Sequence, residues 1–129
     1  MINYTHDKLI NLDYKIENAL ITNADLSMAD HGCFTLSITI DGSGWGVVYG
    51  GYCLGKGYLG AKEFEGNAAG IESIMRIMDV IGVERFQDLK GKYVRVATKG
   101  WGSPVKIIGN ILKDQWFDIE SFFADKKEN

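Results

Sequence analysis

The chain has 129 residues, of which 46% are hydrophobic and 24% charged, and its net charge is −3. This length suits one domain with a single modest core and is too short for two domains. Apolar runs stay far below the roughly 18 residues of a membrane span, and the first residues lack the apolar core of a signal peptide. We therefore expect a cytoplasmic protein without a membrane partner, whose two cysteines, Cys33 and Cys53, are free thiols.

The organisation along the chain predicts one folded unit with short extensions. We assign residues 1–13 to an N-terminal arm, 14–125 to a single α+β domain and 126–129 to a C-terminal tail. Within the domain, residues 14–21 predict a first strand. Residues 22–31 are rich in Asn, Asp and Ser, which predicts a loop.

The clearest pattern is a β-hairpin over residues 33–52. Apolar and small polar residues alternate over 34–40, and a glycine-containing turn follows at 41–44. A four-residue loop would place Ile40 opposite Trp45 and collect the bulky side chains on one face. The other face is nearly bare, which predicts close approach by another backbone, a ligand or a partner chain. We expect a homodimer to form there, through Thr35, Ser37, Thr39, Gly46, Val48 and Gly50.

One long helix is predicted after a glycine-rich segment. Residues 53–66 have no clean period and predict an irregular edge. Asn67 is a predicted N-cap for a helix over 68–81, and Gly82 is suited to end it in the left-handed conformation. The stripe expected to face the core consists of Ile71, Ile74, Met75, Met78 and Ile81.

The last third predicts a second hairpin, with strands at 93–98 and 105–112, followed by a short helix over 119–125 that Asp118 caps. The whole order predicts an α+β fold with a largely antiparallel five-stranded sheet, covered by the long helix. A five-stranded, partly open, OB-like barrel is the alternative.

A basic segment at residues 89–113 carries six Lys or Arg residues and no acid. Removing its +6 from the net −3 leaves −9 for the rest of the chain, so this segment is a candidate anion-binding face. A solvated strand edge kept soluble by lysines would have the same composition. In the simplest register of the predicted second hairpin, the outward face combines aromatic rings with cations. Such a face suits a nucleotide, single-stranded nucleic acid or a protein partner. The candidate binding residues are Tyr93, Arg95, Lys99, Trp101, Lys106 and Asn110.

No pair of residues has a spacing that we can defend as a nucleophile with its base, an acid–base pair or a metal-ligand set. We therefore expect a binding protein rather than an enzyme, with no catalytic residues, no metal and no cofactor.

Several short motifs carry a family resemblance. They are Asp30-His31-Gly32, Gly50-Gly51-Tyr52, Ile81-Gly82-Val83-Glu84, the run from Asp88 to Val96, Ile108-Gly109-Asn110-Ile111 and Trp116-Phe117. Over roughly residues 16–123 the chain resembles a widespread family of small proteins encoded by phages and prophages. The resemblance implies no catalytic residues, and it implies a phage context in which small accessory proteins commonly act by binding.

That context implies a counter-defence, anti-CRISPR-like inhibitor in the host cytoplasm. Its expected partner is a host defence protein or nucleoprotein complex, bound directly at a nuclease. The acidic body could imitate nucleic acid or steer the protein toward a basic target. The alternative is a protein that sequesters small nucleotides or single-stranded nucleic acid through the hairpin at 93–110.

Overall fold

The structure, a computed structural model, describes residues 3–128. One seven-stranded antiparallel sheet curls into a half-barrel, with three helices. The predicted α+β class and antiparallel pairing are confirmed. The predicted count of five strands is wrong, and the curling resembles the barrel-like alternative. The elements are α1 (His6–Asn11), β1 (Lys15–Asp30), β2 (Cys33–Asp41), β3 (Gly46–Lys56), β4 (Glu65–Gly66), α2 (Ala68–Ile81), a 3₁₀ turn (Phe86–Leu89), β5 (Tyr93–Thr98), β6 (Ile107–Asn110), β7 (Trp116–Asp118) and α3 (Ile119–Glu128).

The sheet order is β4-β3-β2-β1-β5-β6-β7, so the two hairpins are joined through β1. The predicted loop over 22–31 is wrong, because β1 continues to Asp30 and pairs with β2. Asn23 and Asp25 are exposed, while Ala24 between them packs on the core. Polar residues in this half of β1 therefore reflect a strand with one solvated face.

The pairing of β2 with β3 is displaced by two residues from the predicted register. Asp41 pairs with Gly46 and Ile40 with Val47, so Trp45 remains in the four-residue connection. The predicted division into faces is confirmed on the core side, where Ile38, Ile40 and Tyr49 are at most 1% exposed.

The bounds and both caps of α2 are confirmed. The Asn67 side chain accepts a hydrogen bond from the Gly70 amide at 3.2 Å, and Gly82 takes a φ of 91° after the last turn.

The buried face of α2 was predicted correctly in part. Ile74, Met78 and Ile81 pack against the core as predicted, whereas Ile71 and Met75 are more than half exposed. The buried residues of the helix are Gly70, Ser73, Ile77 and Val80. A Cβ at Gly70 would lie 2.7 Å from the Leu54 Cα, so the helix backbone comes close to β3 at this glycine.

The terminal segments pack onto this frame. In α1, which lies within the predicted arm, Leu9 is buried in a small second cluster with Ala97 and Ile107. Asp118 caps α3 by accepting from the Ser121 amide at 3.0 Å, as predicted. Strand β6 is shorter than the strand predicted over 105–112. Helix α3 is longer than predicted and includes residues 126–128 of the predicted tail. Residues 1, 2 and 129 of the predicted arm and tail lie outside the described residues. Cys33 and Cys53 are not joined by a disulfide.

Candidate functional site

Arg95, a predicted binding residue, braces the chain internally. Its Nε donates to the Asn110 carbonyl and its Nη2 to the Lys113 carbonyl, both at 2.8 Å. Its guanidinium also lies 4.6 Å from the centre of the Trp116 ring. Two of its five N–H groups and one of its faces are therefore used within the chain, which fixes the position of the guanidinium.

Asn110 closes the end of α2. Its Nδ2 donates to the Val80 carbonyl at 2.9 Å, and its Oδ1 accepts from the Leu112 and Lys113 amides. Asn110 pairs with Val94, whereas Arg95 pairs with Gly109. The predicted register is therefore off by one residue, and Arg95 and Asn110 point to opposite faces.

The two predicted lysines contact different parts of the chain. Lys106 Nζ lies 2.6 Å from the Glu120 carboxylate, and this hydrogen bond raises the pKa of Lys106 above its usual value. Lys99 donates to the Leu12 carbonyl and sits 4.1 Å above the Tyr14 ring. The structure therefore does not bring the four polar candidates together as one cationic patch.

The two aromatic candidates are exposed. Tyr93 is 60% exposed, and Trp101 is 91% exposed, the highest value among the large hydrophobic side chains of residues 3–128. Trp101 sits in a tight turn in which the Ser103 amide donates to the Gly100 carbonyl at 3.1 Å. Its neighbours, Gly100 and Gly102, both have positive φ, a conformation that strongly favours glycine. The turn thus holds the indole out of the fold.

A cleft of about 590 Å³ lies at the foot of this turn. Its lining residues come from three segments of the chain. Lys15 and Glu17 belong to β1, Trp45 and Val47 to the β2–β3 connection and the start of β3, and residues 100–105 to the turn that carries Trp101. Its size falls in the range of pockets that hold small ligands. The sequence predicted Trp101 as a binding residue but not the cleft, because only the curl of the sheet brings these segments together.

The half-barrel stops short of closing between β3 and the β6–β7 side. Tyr49 spans this gap by donating to the Lys106 carbonyl at 3.0 Å, with the Phe117 carbonyl at 3.4 Å. Burial raises the pKa of Tyr49 well above its usual value. Farther along, Tyr52 stacks on Phe123 with ring centres 4.4 Å apart. Side chains therefore join the two sides where backbone pairing would close a full barrel.

The predicted self-association face is explained in part by internal contacts. A Cβ at Gly50 would lie 2.5 Å from the Leu36 carbonyl oxygen, and one at Gly46 would lie 2.9 Å from the Asp41 carboxylate. These glycines therefore serve the hairpin itself and do not require a second chain. Thr35 is only 7% exposed, whereas Val48 is 65% exposed. Ser37 and Thr39 are half-buried. Homodimer formation stays a prediction.

No family model, curated protein or solved structure shows significant similarity to this chain. Within residues 3–128, no group of three or more His, Cys, Asp or Glu side chains is placed to hold a metal ion. None of the helices in that range is long and apolar enough to cross a membrane.

Proposed function

We propose that this chain is a small phage-type accessory protein that inhibits a host nuclease complex by binding directly to one of its protein components. The contact surface is the exposed Trp101 together with the cleft beside it. The observation that carries this proposal is the placement of Trp101, which is 91% exposed in a turn bordering a cleft. Tryptophan is among the residues that contribute most to protein interfaces.

A protein partner is better supported than a polyphosphate or nucleic acid. Binding of phosphates depends on several available cations. Arg95 is held by two internal carbonyls and a ring, and Lys106 is paired with Glu120. The cleft itself carries one cation and one anion, Lys15 and Glu17, which gives it no net attraction for phosphate.

The nuclease complex as target rests on the resemblance to phage proteins and on charge. The chain outside residues 89–113 carries −9, and an acidic protein is steered toward basic, nucleic-acid-binding surfaces. The expected mode is therefore competition at, or close to, a surface that the host complex uses for nucleic acid.

The test is direct binding to purified host nuclease complexes, measured with and without their nucleic acid. We expect a stable complex at micromolar concentration and a loss of about 2 kcal/mol, roughly 30-fold in Kd, on Trp101→Ala. Leu112→Ala is the matched control, because Leu112 is 88% exposed but does not line the cleft. Absence of any stable complex, or equal effects of the two variants, would contradict the proposal.

A further inference from the structure

The hydrogen bonds between β2 and β3 show which backbone groups of β3 point toward β2 and which point away from it. In the connection, the Gly42 amide donates to the Trp45 carbonyl at 2.9 Å. Because bonded and non-bonded pairs alternate in an antiparallel ladder, Ile40 with Val47 is then a bonded pair, and the next pair along, Thr39 with Val48, is not. It follows that Gly46 and Val48 direct their N–H and C=O groups away from β2.

These outward groups lie at an uncovered edge, which we call the β3 edge (Gly46–Tyr49). On that side β3 pairs with β4 only at Gly55 and Lys56. Among the bonds of residues 3–128 outside the regular ladders, none involves the backbone of Gly46 or Val48. Both residues are exposed. Natural edge strands usually carry a charge, a proline or a bulge as protection. Gly46-Val47-Val48-Tyr49 has neither charge nor proline, and the irregular pairing of β3 with β2 begins only after Gly50.

The β3 edge opens into the cleft described above. Gly46 and Val47 line this cleft together with residues 100–105. A strand added to this edge would alternate its side chains between the two faces of the sheet. One set would point into the cleft beside Trp45 and Val47, and the other would lie beside the exposed Val48.

We propose, on the premise of the protein-binding function above, that the partner contributes an extended peptide segment that adds as a strand to the β3 edge. Gly46 and Val48 supply two N–H donors and two C=O acceptors, which account for affinity, and the cleft selects a bulky apolar side chain. This is recognition by strand addition, in which backbone bonds give affinity and alternate pockets give specificity.

The geometry favours a single segment over a second copy of this chain. If β3 of another copy paired here, its own β2 would lie one strand spacing, about 4.8 Å, beyond it. The cleft beside Gly46 and Val47 is also lined by residues 100–105 and has a volume of only about 590 Å³, which leaves room for one extended segment rather than for two paired strands. A lone extended segment brings no second strand and meets no such obstacle.

The experiment selects binders from a library of short random peptides against the full-length protein and measures their Kd by calorimetry. The best peptide is then N-methylated at one amide at a time. Strand addition predicts losses of at least about tenfold at every second amide and small changes between them. Val48→Pro, which removes only an outward N–H, should weaken binding at least about tenfold, whereas Val48→Thr keeps that N–H and should bind within about threefold.

Several outcomes would overturn the inference. They are no peptide with a Kd below about 1 mM, N-methylation losses without alternation, or equal binding by Val48→Pro and Val48→Thr when both are folded. The N-methylation series needs no variant, so misfolding of Val48→Pro does not remove the test. A wild-type dimer that Val48→Pro dissociates would instead identify a second copy as the occupant.

The two proposals fail separately. If a peptide binds with alternating N-methylation losses but no nuclease complex binds the protein, strand addition is supported and the proposed function is wrong. If a nuclease complex binds in a manner that depends on Trp101, and Val48→Pro does not change that binding, the proposed function is supported and strand addition is wrong.

Discussion

Two regions of β3 differ in how closely the rest of the chain packs against the strand. Where α2 crosses the strand, Gly70 brings the helix so close that a Cβ would lie 2.7 Å from the Leu54 Cα, and Ile77 is fully buried. Near the β2–β3 connection, Val48 is 65% exposed. The outward N–H and C=O groups of Gly46 and Val48 at the β3 edge have no hydrogen-bond partner in the backbone of the described residues. We therefore expect the contact between α2 and β3 to contribute most to the free energy of unfolding and the β3 edge to contribute little.

The largest effect should come from the packed region. Ile77→Ala removes a fully buried side chain and should lower the free energy of unfolding by about 2–5 kcal/mol. Ile71→Ala is the matched control on the same helix, since Ile71 is 53% exposed, and should cost less than about 1 kcal/mol. Urea denaturation measures both, and equal losses would show that the helix presents a different face to the sheet.

A smaller loss is expected at the end of α2. Asn110→Ala removes the donor to the Val80 carbonyl and the acceptor of two amides, which should cost about 1–3 kcal/mol. Gln115→Ala, at an exposed position in the following turn, should change stability by less than about 0.5 kcal/mol. If Asn110→Ala retained full stability and instead lost partner binding, the internal role assigned to Asn110 would be wrong.

Tyr49 tests the bridge between the two sides of the half-barrel. Tyr49→Phe removes its hydrogen bond to the Lys106 carbonyl and should cost about 1 kcal/mol at neutral pH. Because burial raises the folded pKa of Tyr49 above its unfolded value of about 10, its contribution is present below pH 10 and is lost as pH rises above 10.

The measurement is the stability difference between wild type and Tyr49→Phe as a function of pH. The difference should shrink above pH 10, while Tyr4, whose pKa burial raises to about 12, titrates in both proteins and cancels. A difference that stays constant into that alkaline range would mean that the Tyr49 hydroxyl is not buried.

The smallest effect on stability is expected at the open region. Trp101→Ala removes a side chain that is 91% exposed and should change the free energy of unfolding by less than about 0.5 kcal/mol. Thermal denaturation of the variant gives this value. A loss above about 1 kcal/mol would mean that the indole packs on the fold in solution and is not available to a partner.

Local signals predicted the parts of this fold that depend on neighbouring residues. Asn67 and Gly82 placed both ends of α2 because capping requires only the adjacent backbone. The apolar stripe of α2 predicted Ile74, Met78 and Ile81 on the core side but missed Gly70, because a hydrophobic pattern does not register the close approach of a glycine to β3.

The candidate site shows the same division. Trp101 was among the predicted binding residues. The cleft beside it was not predicted, because it combines Lys15, Glu17, residues 45–47 and residues 100–105, which only the curl of the sheet brings together. The hairpin of β5 and β6 was placed one residue out of register, and that single step exchanged the faces of Arg95 and Asn110. The predicted binding set therefore combined residues from two faces.

Amide hydrogen exchange of the isolated protein tests the central claim that the β3 edge is unpaired and available. The Val48 amide should exchange nearly as fast as in an unstructured peptide, while the Val47 and Tyr49 amides, which bond to β2, should be protected by orders of magnitude. A Val48 amide as slow as those of Val47 and Tyr49 would contradict the account, because the edge would then already be covered.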